Sequence, residues 1–106
     1  MEPITKVVFR KWSKREGGDV VALMFEEVGD YDPATFTCYQ HVGQHGCADM
    51  GVVYKTKLAK PAEYENLKRE LESRPYGYRF KVYKRIPRDA ISVRRAALAR
   101  IKAAVL

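Results

Sequence analysis

The sequence predicts an α+β fold: a mainly antiparallel sheet of about five strands in the order β-β-β-β-α-β-α, with helices packed on one face. Three observations carry this reading. Segments rich in β-branched and aromatic residues recur between Lys6 and Leu58, and the short connections between them join antiparallel neighbours. A segment opened by Lys60-Pro61 carries apolar residues at helical spacing. A second helical segment, Ala90–Val105, follows Pro87. The 106 residues suit a single domain, 1–106. A chain of this size buries roughly two-thirds of its unfolded surface, so it needs no disulfide or metal to fold.

Lys6–Trp12 is β-branched and aromatic and reads as the first strand. Gly17-Gly18 signals a hairpin turn. Val20–Glu27 opens with six consecutive apolar residues, which implies burial on both faces and an interior strand. Gly29, Asp30, Asp32 and Pro33 make Val28–Ala34 a loop. Phe36–Val42 is the third strand, with Phe36, Cys38, Gln40 and Val42 on one face and Thr37, Tyr39 and His41 on the other. Gly43–Met50 is a connection, and Gly51–Leu58 is the fourth strand, with Val52, Tyr54, Thr56 and Leu58 sharing a face.

Pro61 suits the first position of a helix, because its missing N–H has no partner there anyway. Glu63 and Glu65 complement the dipole of the first turn. Tyr64, Leu67 and Leu71 form the apolar stripe, and Glu65–Arg69 and Lys68–Glu72 are i,i+4 pairs outside it. Pro75 and Gly77 place its end near Ser73–Arg74. Tyr78–Ile86 alternates Tyr78, Phe80, Val82 and Ile86 with Arg79, Lys81, Tyr83 and Arg85, a strand with one core-directed and one basic face. Pro87 stops it, and Asp89 is a candidate N-cap for the last helix. There Ile91, Leu98, Ile101 and Val105 share a side, with a gap at Arg94–Arg95. Residues 88–106 thus form a basic C-terminal helix that can pack on the sheet, extend as an arm or pair with a second copy.

The net charge of +7 is uneven. From Arg79 onward there are nine basic residues against one acid, Asp89, whereas the first 78 residues hold eleven basic and twelve acidic ones. Such asymmetry points to an anionic partner such as nucleic acid, set against a solvated face paired with Glu26, Glu27, Asp30 and Asp32. Arg79, Lys81 and Arg85, with Tyr83 among them, are the candidate anion-binding residues, the cations giving affinity and the ring a stacking surface. The beginning of the chain carries no secretory signal pattern and no apolar run approaches the roughly 20 residues of a membrane helix, so the expected setting is cytoplasmic, off the membrane. Two cysteines in that compartment are expected as thiols.

The chemistry-bearing side chains concentrate in Phe36–Met50, which holds both histidines and both cysteines. Tyr39, His41, Gln44, His45 and Asp49 are the candidate ligand-binding residues. His41, His45, Cys47 and Asp49 are competent metal ligands, yet structural zinc draws its ligands from two separated pairs, so no metal is assigned. A Cys47–His45 nucleophile or a Tyr39–His41 acid–base pair are the enzymatic options, without a specific catalytic signature. Gly43-Gln44-His45-Gly46 has the G-x-x-G form that clamps RNA backbones, but it joins two predicted strands rather than two helices. The plainer reading is an ordered polar turn whose glycines supply backbone angles and whose side chains bond loop carbonyls.

Tyr39–Asp49, with its H-x-G-Q-H-G motif at His41–Gly46, resembles a family of small uncharacterised bacterial and phage-associated proteins. The likeness extends from about Val20 to Ile86. The family has no established activity, so the resemblance lends no catalytic role, and the cofactors are left unassigned. It puts the weight on His41, Gln44 and His45, since small residues often stand in the family where Cys38 and Cys47 stand here. The expected function is an interaction or accessory module that binds an anionic partner through the basic C-terminal region. The alternatives are a small enzyme or metal-binding protein using the His41/His45 loop, and a homo-oligomer formed through the last helix.

Overall fold

The computed structural model describes residues 4–30, 32–40 and 45–105, with the backbone alone for His45 and Val105. Strand β1 (Thr5–Trp12) turns back through a 3-10 turn at Lys14–Glu16. Gly17 and Gly18 close that turn at φ 108° and 72°, angles that glycine alone adopts without strain. Strand β2 (Val20–Val28) then pairs antiparallel with β1, Val8 opposite Leu23 and Lys11 opposite Val20. Strand β3 (Phe36–Tyr39) takes the other edge of β2, which makes β2 the interior strand its apolar run requires. Strand β4 (His45–Ala48) pairs antiparallel with β3.

The outer edge of β1 is shared. Strand β5 (Thr56–Leu58) pairs antiparallel with Arg10–Trp12, and strand β6 (Phe80–Val82) pairs parallel with Thr5–Val7. Among the described residues the sheet is six-stranded and mixed, and the fold is α+β. Three helices complete it: α1 (Gly51–Lys55), α2 (Pro61–Glu72) and α3 (Ala90–Val105).

The expectation that the helices cover one face is corrected. Ala22 and Met24 of β2 join Val7, Phe9 and Tyr39 beneath Leu67 and Leu71 of α2. Val21, Leu23 and Phe25 join Val8, Phe36 and Ala48 on the opposite face, with Ala90 of α3 and, at the margin, Val52 and Val53 of α1. A strand has a side-chain period of two, so a continuous apolar run carries a hydrophobic set on each side. Each set needs its own cover, and α2 and α3 take opposite faces.

Three expected elements also differ in extent. The segment expected as a connection, Gly43–Met50, contains the edge strand β4, held by its ladder to β3 rather than by apolar alternation. Gly51–Leu58 is not one strand. The Asp49 carboxylate accepts the Gly51 N–H at 2.8 Å and opens a helical turn, and the Thr56 hydroxyl donates to the Val52 carbonyl at 2.8 Å as it ends. Tyr78–Ile86 is a strand only over Phe80–Val82, because β5 already occupies the rest of the β1 edge. α2 matches its expected bounds, with ion pairs Glu65–Arg69 at 2.6 Å and Lys68–Glu72 at 2.9 Å.

The seam of α3 also departs from the expected stripe. Ala90, Arg94 and Leu98 are buried at i, i+4, i+8, while Ile91 and Ile101 are exposed. Arg94, at the expected gap, is 5% exposed. Its Nε donates to the Pro33 carbonyl at 2.8 Å, its Nη1 donates to the Phe25 carbonyl, and its guanidinium lies 5.4 Å from the Phe36 ring centroid. Burial lowers its pKa, but a guanidinium starts so high that it stays charged. Arg94 therefore ties α3 both to β2 itself and to the loop between β2 and β3. The helix packs on the sheet through Ala90, Arg94 and Leu98, and residues 99–104 are exposed.

Two substitutions and one control test this framework. A Cβ on Gly29 would lie 2.6 Å from the Phe36 carbonyl oxygen and 2.7 Å from Cys47 Cβ. Gly29→Ala is expected to destabilise the fold by about 1–3 kcal/mol in urea denaturation. Arg94→Met, which strips two carbonyls of their donor, is expected to cost about 2–3 kcal/mol, while Arg95→Ala on the exposed side stays within about 0.5 kcal/mol.

Candidate anion-binding site

Of the residues singled out in the central stretch, His41 and Gln44 lie outside the described residues, as does the His45 side chain. The His45 backbone pairs with Tyr39. Tyr39 is fully buried on the α2 face. Its hydroxyl donates to the Glu70 carboxylate, and the Tyr76 hydroxyl lies 3.1 Å away, with the two rings edge to face at 5.2 Å. Burial, reinforced by Glu70 and Tyr76, raises the Tyr39 pKa far above the ordinary phenol value. Tyr39 thus anchors α2 and the turn after it to the middle of the sheet. Asp49 is exposed beyond the other end of the β3–β4 ladder, roughly 10 Å of strand away, and its carboxylate serves the α1 turn.

Cys38 and Cys47 are free thiols. Cys38 packs with the α3-side core, and its cross-strand partner is Gly46, while Cys47 pairs with Thr37. Burial, with Cys47 adding to it, pushes the Cys38 thiol pKa up, the reverse of what activates a nucleophile. Among the described residues, no three His, Cys, Asp or Glu side chains converge as metal ligands.

Arg79, just before β6, Lys81 within it and Arg85 in the bend after it are exposed. Tyr83 is half-buried, with Lys81 Nζ 5.6 Å and Lys6 Nζ 5.7 Å from its ring centroid. Its ring is already occupied by two cations, so it offers less of a stacking surface than the sequence suggests.

A different basic cluster forms at the far end of β1. There a depression of about 550 Å³ is lined by Lys11, Lys14, Lys55, Lys57 and Lys60, with Trp12, Tyr54 and Glu63 beside them. Pairing of β1 with β5 sets Lys11 directly opposite Lys57. Arg10 fixes the corner that carries Tyr54 and Lys55. Its Nε donates to the Thr56 hydroxyl at 2.7 Å, and its Nη2 donates to the carbonyls of Thr56 at 2.6 Å and Val53 at 3.2 Å. These bonds satisfy carbonyls at the end of α1 that a helix terminus leaves open. Trp12 is held by its Nε1–H donating to Gln40 at 3.1 Å. Glu63 accepts from Lys11 Nζ at 2.6 Å and from the Lys60 N–H at 2.9 Å, and these donors hold its pKa below the usual carboxylate value. Among the described residues, Lys14, Lys55, Lys57 and Lys60 form no ion pair.

Sequence reasoning missed this cluster because its lysines sit in the part of the chain where acids and bases nearly balance. The one signal for it was the local run of lysines, Lys55-Thr56-Lys57 with Lys60 close behind. Only the β1–β5 register adds Lys11, and the turn that follows β1 adds Lys14.

Comparison with protein-family models, with curated proteins and with solved structures gives no match. Among the described residues, no helix is long and apolar enough to cross a membrane.

The buried Tyr39 hydroxyl has a pH signature. Its folded pKa is raised, as is that of Tyr78, whose hydroxyl donates to Glu27 at 3.0 Å. Above pH of about 10 the unfolded chain loses phenol protons that the folded chain keeps, so stability is full below that pH and falls above it. Tyr39→Phe is expected to cost about 1–2 kcal/mol at neutral pH and to flatten the decline between roughly pH 10 and 11, as read by urea denaturation across pH.

Proposed function

We propose that this protein is a binding module for an anionic macromolecule, with nucleic acid as the partner class, and that the lysine-lined depression provides the main contact. The observation that carries the reading is the convergence of five lysines from separate segments on one concavity with a single, already engaged carboxylate, Glu63. Like charges directly opposite one another across a sheet are destabilising. Yet the outer edge of β1 sets Lys11 against Lys57 at one end and Lys6 against Lys81 at the other. Partial relief comes from Glu63 on Lys11 and from Glu26 on Lys6 at 3.3 Å. The remaining cations gain their counterpart from a polyanion, whose condensed counterions are released on binding.

The basic C-terminal region enters as a second contact. Arg79 and Lys81 lie toward the opposite end of β1 from the depression, with Arg85 in the bend after β6, so the two basic groups border the same strand edge. A cytoplasmic setting accompanies this reading, as the two free thiols and the nucleic-acid class suggest.

The test is salt-dependent retention on heparin and binding to mixed-sequence DNA. The wild-type chain is expected to elute late, and Lys14→Glu with Lys57→Glu to elute markedly earlier. The slope of log affinity against log salt is expected to fall by roughly 0.7–0.9 for each phosphate that is no longer neutralised. Neutralising Arg79, Lys81 and Arg85 together is expected to have the smaller effect. Weak retention of the wild-type chain, or retention unchanged by the double charge reversal, would overturn the assignment.

A further inference from the structure

We infer that the occupant is a single-stranded nucleic acid lying along the outer edge of β1, across both short strands that share it. This rests on the nucleic-acid reading above and adds the strand class and the path. The C-terminal ends of β5 and β6 converge on the middle of β1: the Ala59 N–H donates to the Phe9 carbonyl at 3.0 Å, and the Tyr83 N–H to the Val7 carbonyl at 2.8 Å. Between them lies a notch of about 170 Å³ lined by Leu58, Val82, Tyr64 and Lys84. Leu58 also lines the lysine depression, so the two concavities adjoin at that side chain. The path runs from Lys14 at one end to Lys84 at the other. Between Trp12 and Val7 it follows roughly 17 Å of strand.

The chemistry of the path alternates. Its rim carries lysines, and its floor is apolar: Leu58 is 42% and Val82 36% exposed, and Tyr64 is stacked on Phe9 at 4.4 Å. Tyr54 stands 83% exposed beside Lys55, a ring with almost nothing of its own fold to cover. A duplex keeps its bases inside and offers mainly phosphates, which leaves an apolar floor and an exposed ring unused. A single strand offers phosphates to lysines and base faces to rings and aliphatic surface. The cations of the depression are lysines, point charges without the fork of arginine, which suits backbone tracking without base readout.

The experiment uses the full chain with an unstructured 12-nucleotide oligothymidylate or oligouridylate and a duplex of the same length. It is followed by anisotropy and by the fluorescence of Trp12, the only tryptophan. The single strand is expected to bind roughly tenfold or more tightly than the duplex and to change the Trp12 signal. Tyr54→Ala is expected to weaken single-strand binding by roughly 5- to 100-fold, the range for one stacked base. Tyr54→Phe restores it, and duplex binding and heparin retention barely change in either variant. Lys84→Gln is expected to lower the single-strand salt slope. Equal or tighter duplex binding, indifference of single-strand binding to Tyr54→Ala, or displacement of the oligonucleotide by polyglutamate at matched charge would overturn the inference while leaving polyanion binding intact. Loss of heparin retention in the wild-type chain would remove both readings.

Discussion

The structure depends on covering both faces of β2. Val21, Leu23 and Phe25 face one way and Ala22 and Met24 the other, and all five are buried. Apolar area removed from water stabilises by roughly 25 cal/mol per Å², and a side chain left uncovered forfeits its share. The chain therefore supplies α2 to one face and α3, with α1 at the margin, to the other. With β3 on one edge of β2 and β1 on the other, the remaining free edge of β1 is divided between two three-residue strands. That division creates the notch and the depression. The concave surface is a consequence of how a small sheet closes its core.

Polar groups divide along the same lines. Arg10 and Arg94 do structural work by directing guanidinium donors at backbone carbonyls, Arg10 at the α1–β5 corner and Arg94 at the β2–β3 connection. A planar fork of donors suits this use, because one side chain can serve two carbonyls. Tyr39 and Tyr78 do the same for carboxylates, reaching Glu70 and Glu27. The lysines of the depression do the opposite. Their ammonium groups stay at the surface, and they crowd one another where stability alone would separate them. The contrast separates charge that builds the fold from charge open to a partner.

The +7 net charge and the C-terminal excess of bases are features of composition, and on their own they point to residues 79–106. The structure redistributes that emphasis. Arg94 leaves the solvated set to become a buried anchor, and Tyr83 is taken up by Lys6 and Lys81. Meanwhile Lys11, Lys14, Lys55, Lys57 and Lys60, diluted in a nearly neutral stretch of sequence, come to line one concavity. Tyr39 moves from candidate ligand contact to core anchor, and Asp49 to the turn that starts α1.

The sequence by itself determined the α+β class, the interior position of β2, the hairpin at Gly17-Gly18 and the bounds of α2 and α3. Each is written in a local period or a local turn residue: six apolar residues in a row, two glycines at positive φ, a proline followed by an i, i+3, i+7 stripe. Only the tertiary structure decided that the helices lie on opposite faces, that Arg94 goes inward, that Gly51–Lys55 coils before β5 extends, and that lysines some forty residues apart share one concavity. These depend on strand register and on which partner reaches an edge first. Such pairings join residues distant in sequence, and no local period encodes them.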